Sequence, residues 1–185
     1  MGARRRYSDY APLGKIIAAR KAFSCVGSDL RGPWRFAAEE SGVMLFVKKK
    51  RQIERILLVE DEPLEAFDTE HLLNGEGFEI VATVDSVADA LIAIEGETAI
   101  DLVLVDVGLA DGSGIEVARA AQRRGVRVLF VTGNCPGEAR RLAVGCLSKP
   151  YPQRDLLAAI AAVEAVIGGR KPGKLPGSFS LFGED

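Results

Sequence analysis

The chain has 185 residues, a hydrophobic fraction of 48% and a formal net charge of −2. This length accommodates one ordinary domain and some extra sequence, and the apolar fraction is sufficient for a core. No apolar run reaches the roughly 18 residues of a membrane span, and no apolar region follows the basic start as in a secretory signal. The 3 cysteines lack metal-ligand spacing, which is typical of free thiols in a reducing compartment. We therefore expect a soluble, cytoplasmic protein.

The charge is distributed unevenly along the chain. Residues 1–52 contain 12 Lys or Arg and 4 Asp or Glu, a net charge of +8. Residues 53–185 contain 12 Lys or Arg and 22 Asp or Glu, a net charge of −10. We interpret residues 1–52 as a basic N-terminal extension that is flexible or partly helical, with GKIIAARKAF (14–23) as the candidate helix.

Strand and helix patterns alternate from residue 53 onward. The predicted strands are short, nearly continuous apolar runs, as in parallel strands that are covered on both faces. Between them lie amphipathic segments that predict helices. The five strands are ILLV (56–59), FEIVATV (78–84), LVLV (102–105), VRVLFV (126–131) and GCLS (145–148). The alternation predicts an α/β domain over residues 53–168, built on a doubly wound five-stranded parallel sheet.

The pattern predicts four full helices and a further short one. The first covers LEAFDTEHLLNGEG (64–77), with Leu64, Phe67, Leu72 and Leu73 expected to face inward. The next ones are VADALIAIE, which Ser86 and Asp89 begin, then GIEVARAAQRRG and QRDLLAAIAAVEAVIGG. Only NCPGEARRLAV (134–144) lies between the last two strands, so the fourth helix of the fold is expected to be shortened.

The C-terminal residues 169–185 are rich in glycine and proline. This composition predicts a flexible tail, in which Phe179, Leu181 and Phe182 are candidate docking points.

Charged and hydroxyl side chains follow the predicted strands at their carboxyl ends. Glu60 and Asp61 follow the first strand, Asp106 the third, Thr132 the fourth and Lys149 the fifth. The carboxyl ends of parallel strands meet at one edge of the sheet, which is where ligands bind in such folds. Three carboxylates about 5 Å apart repel one another by roughly 3 kcal/mol per pair at an effective dielectric near 20, so they favour a cation. An all-oxygen ligand set suits Mg²⁺, and a carboxylate beside it can attack a phosphoryl group.

Four segments of the sequence resemble the receiver domain of two-component response regulators, in order and in spacing. They are ILLVEDEP (56–63), LVLVDVGLADGSGIEVA (102–118), VLFVTG (128–133) and LSKP (147–150). The resemblance covers about residues 53–168 and implies the flavodoxin-like receiver fold. It also implies a signalling switch in bacteria rather than a metabolic enzyme.

The resemblance assigns the residues of the phosphorylation chemistry. Asp106 would accept a phosphoryl group from a histidine kinase or a histidine phosphotransfer protein. Thr132 would hydrogen-bond the phosphoryl group, and Lys149 would pair with Asp106 before transfer and with the phosphoryl group afterward.

The resemblance also implies a magnesium site. Asp61 and Asp106 would bind Mg²⁺ directly, Glu60 would act through a water molecule, and the Gly108 carbonyl would complete the protein ligands.

The sequence departs from the family pattern at three places. Cys146 stands where an aromatic switch residue is usual, three positions before Lys149, and Ala110 stands where a proline is common. The segment between Thr132 and Lys149 is also several residues short. The phosphorylation residues are complete, whereas the output mechanism must differ. Cys135 and Cys146 could form a redox pair, although we favour a loop thiol and a buried apolar side chain.

We predict a single-domain response regulator that acts through protein–protein interaction or as a phosphate sink. Homodimerisation through the last helix stays open. One alternative is an interaction module with the receiver fold that is never phosphorylated. Another is a transcription regulator that binds DNA through the basic N-terminal arm, which we disfavour because no helix-turn-helix pattern is present.

Overall fold

The computed structural model describes residues 34–38, 44–48 and 51–183. The chain divides into two compact units, Met1–Lys49 and Lys50–Asp185. In the first unit, β1 (Trp34–Ala38) and β2 (Met44–Lys48) form an antiparallel pair in which Phe36 lies opposite Phe46. This pair was not predicted, since the extension was expected to be flexible or helical. The candidate helix at residues 14–23 lies outside the described residues.

The second unit contains the alternating strands and helices that the sequence predicted, with some additions. In chain order its elements are β3 (Arg55–Val59), α1 (Pro63–Gly75), β4 (Glu79–Val84), α2 (Val87–Glu95), β5 (Leu102–Val105), β6 (Gly108–Leu109), β7 (Gly112–Ser113), α3 (Gly114–Arg123), β8 (Arg127–Thr132), α4 (Ala139–Leu142), β9 (Gly145–Ser148), α5 (Gln153–Ile167) and β10 (Phe179–Leu181). The β6–β7 pair is a short antiparallel hairpin in the loop after β5.

The central sheet has the strand order β10-β9-β8-β5-β3-β4. The five strands from β9 to β4 are parallel, and the helices connect them, which confirms the doubly wound α/β fold. Registers such as Leu58 opposite Leu104, and Thr132 opposite Ser148, align the carboxyl ends of β3 with β5 and of β8 with β9. The residues that follow these strands therefore reach the same edge.

Both faces of the sheet are buried, which explains the continuous apolar runs. Successive side chains of a strand point to opposite faces. One face packs against α2 and α3 through residues that include Leu57, Val103 and Phe130. The other packs against α1 and α5 through residues that include Leu58 and Leu104.

The tail prediction is wrong for the last part of the sequence. β10 is an antiparallel sixth strand beside β9, and the side chains of Phe179 and Phe182 are 5% and 7% exposed. The physical reason is the glycine at position 145, because a Cβ there would lie 2.6 Å from a carbon of the Phe179 ring. The expectation that Phe179 and Phe182 dock is met, although the segment was expected to be flexible.

The predicted inward face of the first helix is also partly wrong. Leu64 and Phe67 are 72% and 65% exposed, whereas Ala66 and Leu73 are buried. Phe67 stacks on His71 one turn later, with 6.1 Å between ring centroids. The N-terminal part of α1 therefore exposes apolar side chains to solvent.

The shortened fourth helix is confirmed, since α4 has 4 residues. Two contacts hold it against α3. The Arg119 guanidinium lies 2.7 Å from the Glu138 carboxylate, and the Gln122 side-chain amide donates to the Arg141 carbonyl at 2.8 Å.

Candidate functional site

The carboxyl edge of the sheet brings together an ammonium group and three carboxylates. Nζ of Lys149 lies 2.7 Å from Oε2 of Glu60 and 2.7 Å from Oδ2 of Asp106. It also lies 2.5 Å from Oε2 of Glu65 on α1. The Lys149, Glu60 and Asp106 side chains are only 17%, 6% and 14% exposed, so water screens these ion pairs weakly.

The Asp106 carboxylate is oriented by backbone groups as well as by Lys149. The amide of Asp106 donates to the carbonyl of Val59 at 3.0 Å, which extends the pairing of β5 with β3 by one residue. The amide of Gly108 donates to Oδ1 of Asp106 at 3.1 Å. One carboxylate oxygen is therefore held by an amide and the other by the ammonium group.

Gly114 allows α3 to begin directly against this aspartate. A Cβ at position 114 would lie 2.0 Å from the carbonyl oxygen of Asp106. The amide of Gly114 donates to the Val107 carbonyl at 2.9 Å. Because only glycine permits this approach, it fixes the backbone of Asp106 relative to the helix.

The charges of the site depend on one another. Burial raises the pKa of Glu60, and the hydrogen bond and charge of Lys149 oppose that rise. Burial would lower the pKa of Lys149, but hydrogen bonds to Asp106, Glu60 and Glu65 outweigh it and raise the pKa. Lys149 is therefore firmly protonated and balances part of the negative charge.

Thr132 lies at the end of β8, beside the backbone of Lys149. The Lys149 amide donates to the Thr132 carbonyl at 2.9 Å, and Thr132 is 5% exposed. The structure thus places four of the predicted residues, Glu60, Asp106, Thr132 and Lys149, at one edge.

Asp61 lies beside this group but outside its network of ion pairs. With Glu60, it lines a cavity of about 300 Å³ that Thr83, Asp85 and Asp89 also border. Within residues 51–183, no three His, Cys, Asp or Glu side chains are grouped closely enough to hold a metal ion.

Two acidic residues of this region were missed by the sequence reasoning. Glu65 follows no strand, and only its position in the first turn of α1 hinted at a role. Asp111 accepts hydrogen bonds from the amides of Val87 at 2.8 Å and Ala88 at 3.2 Å, and these bonds lower its pKa. It ties the β6–β7 hairpin, which follows Asp106, to the start of α2.

Comparisons with known proteins agree with this architecture. The sequence profile of the response regulator receiver domain matches residues 56–161. The virulence-factors transcription regulator BvgA of Bordetella pertussis is 34% identical over 119 residues, which are 62% of this chain and 56% of BvgA. The chain thus spans about half the length of this curated relative.

Solved structures with the same fold include two receivers. The CheY-like receiver domain protein of Methanospirillum hungatei JF-1 is 27% identical, with a TM-score of 0.57 over 63% of this chain and 98% of that one. The receiver domain of the sensor histidine kinase PA1611 of Pseudomonas aeruginosa PAO1, solved with magnesium in its active-site cleft, is 24% identical. Its TM-score is 0.51, over 58% of this chain and 93% of that one.

No helix within the described residues is long and apolar enough to cross a membrane.

The profile match covers more than half of the chain and coincides with the domain that carries Asp106 and Lys149. The chain belongs to the response regulator receiver family.

Proposed function

We propose that this chain is a phosphorylation-dependent signalling switch whose phosphoacceptor is Asp106. The observation that carries the proposal is the 2.7 Å contact between Lys149 Nζ and Asp106 Oδ2 at the carboxyl edge of the sheet. A carboxylate oxygen of Asp106 attacks the phosphorus atom of a phosphohistidine on a kinase or phosphotransfer protein. The P–O bond forms as the P–N bond breaks, and the electron pair stays on the departing imidazole nitrogen, which takes up a proton.

The residues around Asp106 have distinct parts in this transfer. The Lys149 ammonium moves from the carboxylate to the oxygens of the arriving phosphoryl group, where it offsets their negative charge. The Thr132 hydroxyl donates a hydrogen bond to one of these oxygens. Glu60 and Glu65 keep Lys149 protonated and close to the site before the transfer.

The carboxylates of the site fit Mg²⁺, which we propose as the cofactor. This ion needs only one or two carboxylates directly, because it keeps several waters and also binds substrate phosphate. A tight group of three acidic side chains is therefore not required. Asp61, Asp106 and the Gly108 carbonyl would hold the ion, with Glu60 acting through water. When bound, the ion would neutralise charge on the phosphoryl oxygens.

The apolar face of α1 suits the phosphodonor protein. Leu64 and Phe67 are largely exposed and flank Glu65, which contacts Lys149. A protein that delivers a phosphoryl group to Asp106 must cover this rim of the site. We propose that Leu64 and Phe67 are buried in that complex. The acceptor is consumed in each transfer and is restored only when the phosphoryl group leaves, by hydrolysis or by transfer back to a histidine. The chain therefore acts as a switch or phosphate sink rather than as a metabolic enzyme.

The experiment that tests this function is intact-mass analysis of the chain after incubation with acetyl phosphate and Mg²⁺. We expect one phosphoryl adduct on the wild type and none on Asp106→Asn. Asp111→Asn is the matched control, because Asp111 lies in the same loop but points to the start of α2. An adduct that persists on Asp106→Asn would refute the proposal. So would a wild type that takes up neither phosphoryl nor beryllofluoride.

The basic N-terminal part supports a second candidate function. Residues 1–52 carry a net charge of +8, and the relative that matches over about half its length is a transcription regulator. Direct DNA binding by this arm would appear as salt-dependent affinity that is lost on deletion of residues 1–43. If Asp106→Asn behaves as the wild type in the cell, the receiver acts instead as an interaction module that is not phosphorylated.

A further inference from the structure

Residues Ser178–Phe182, the C-terminal strand segment, cover the free edge of β9. The Ser148 amide donates to the Ser178 carbonyl at 2.8 Å, and the Phe182 amide donates to the Val144 carbonyl at 2.9 Å. Between these bonds, β10 pairs with β9 in antiparallel register, with Phe179 opposite Leu147. The segment therefore follows β9 from its beginning to its end.

Three side chains of the segment fit specific places on the domain. The Phe179 ring fills the space that the missing side chain of Gly145 leaves open. The guanidinium of Arg140 on α4 lies 5.2 Å from the centroid of the Phe182 ring. The Ser178 hydroxyl donates to Oδ2 of Asp155 on α5 at 2.8 Å. The segment is thus bound to both helices that flank β9.

A short run of backbone hydrogen bonds connects this segment to the candidate functional site. The amide that binds the Ser178 carbonyl belongs to Ser148, the residue before Lys149. The next amide, that of Lys149, binds the Thr132 carbonyl. The end of β9 is therefore held on one side by the C-terminal strand segment and on the other by β8, next to the site.

The segment is a short element at the end of the sheet. β10 has 3 residues and pairs with one strand. The connecting residues 169–177 are GRKPGKLPG, with glycines at 169, 173 and 177. Short elements at the edge of a sheet open at a lower free energy than its central strands.

We propose that the C-terminal strand segment is a releasable cover of the β9 edge, and that phosphorylation of Asp106 weakens its binding. This inference rests on the proposed function. The strand order places Asp106 and β10 on opposite sides of β9. Thr132 moves toward β5 to hydrogen-bond the phosphoryl group on Asp106. Because the Thr132 carbonyl accepts from the Lys149 amide, this movement pulls the end of β9 away from the segment. Release exposes a strand edge with a notch at Gly145 that fits an extended peptide carrying an aromatic side chain.

Amide exchange of the full chain tests the release directly. Beryllofluoride with Mg²⁺ serves as the phosphoryl mimic, and its binding is followed by fluorine NMR. We expect the amides of residues 179–182 to exchange at least fivefold faster with the mimic, which corresponds to about 1 kcal/mol of coupling. Amides of β5 should keep their protection.

Coupling is reciprocal, which gives a second and independent measurement. If activation weakens the segment, then loss of the segment must strengthen binding of the mimic by the same factor. Phe179→Ser should therefore bind beryllofluoride at least fivefold more tightly, and Phe179→Leu should restore most of the wild-type value. Ser180→Ala is the matched control, because Ser180 is exposed in the same strand. If Phe179→Ser does not fold, Ser178→Ala replaces it. This variant loses only the bond to Asp155, and it should also bind beryllofluoride more tightly than the wild type.

The outcomes separate this inference from the proposed function. A wild type that takes up neither phosphoryl nor beryllofluoride refutes the proposed function and, with it, the activating event on which the coupling depends. A wild type that binds the mimic without faster exchange at residues 179–182 refutes the coupling alone. Mimic binding that is unchanged or weaker in Phe179→Ser would also refute it, since a purely structural role predicts no gain in affinity.

Discussion

Lys149 is the residue on which the charge balance of the site depends. It is the one cation that contacts Glu60, Glu65 and Asp106 in the described part of the chain. Glu60 is the most buried of the three, at 6% exposure, and burial raises its pKa. An ionised carboxylate in such a place is stable only with a partner.

Replacement of Lys149 by methionine should therefore destabilise the fold at neutral pH. The change keeps most of the apolar stem but leaves Glu60 buried without its cation, which costs roughly 3 kcal/mol. Because the folded-state pKa of Glu60 lies above the unfolded value, the folded chain binds the proton more tightly. The penalty should then shrink as the pH falls from about 7 toward 5. Urea unfolding of both proteins across this range measures it.

Glu65→Gln provides the comparison for that experiment. The Glu65 side chain is 52% exposed, so its loss should change the free energy of unfolding by no more than about 1 kcal/mol. A Lys149→Met penalty that grows toward acid would contradict the role given to Glu60.

At the scale of elements, the approach of α3 to β5 shapes the site. Gly114→Ala places a methyl group against the Asp106 carbonyl, closer than any Cβ can lie to an oxygen atom without a shift of the backbone. We expect a loss of about 1–3 kcal/mol in the free energy of unfolding and a clear drop in phosphoryl uptake, because the backbone of Asp106 must move. Thermal unfolding and intact-mass analysis measure the two effects.

Gly133→Ala is the control for this substitution. Gly133 also follows a strand at the site edge, but no atom lies within 4 Å of an added Cβ. Its uptake and stability should stay near those of the wild type. Equal losses in both variants would show that glycine flexibility, rather than the close approach at Gly114, is what matters.

The sequence was sufficient to predict the parallel strands and the site residues that follow them, because both depend on local patterns. Buried parallel strands need continuous apolar runs, and each such run that ends in an acid, a threonine or a lysine marked the site edge. The contact of Glu65 with Lys149 could not be predicted, because an acid in the first turn of a helix is common whether or not it contacts a distant lysine.

Two other elements depended on distant contacts. β10 is a three-residue strand between glycines and prolines, and its docking depends on Gly145, more than thirty residues earlier. The face of α1 was misjudged because Leu64 and Phe67 fit a helical apolar pattern, although the sheet covers the neighbouring face with Ala66 and Leu73. Apolar spacing identifies a helix more reliably than it identifies which side of the helix is covered.

At the scale of the whole molecule, the receiver domain is a sheet between two apolar layers with unequal edges. The side chains of the central strands β3, β5 and β8 point alternately into the two layers, and nearly all of them are buried. β4 ends the sheet on one side with 6 residues that pack against α1. β10 ends it on the other side with 3 residues. Stability should therefore decrease from the centre of the sheet toward β10.

Amide exchange as a function of urea concentration tests this gradient in the resting chain. Amides of β5 should exchange only through global unfolding, so their opening free energy should fall steeply with urea. Amides of β10 should open locally, with a smaller urea dependence, because release of this short segment exposes much less surface than unfolding of the whole domain. β4 should lie between them. If β10 shared the opening free energy and the urea slope of β5, the C-terminal strand would be part of the cooperative core, and its release would require the whole domain to unfold.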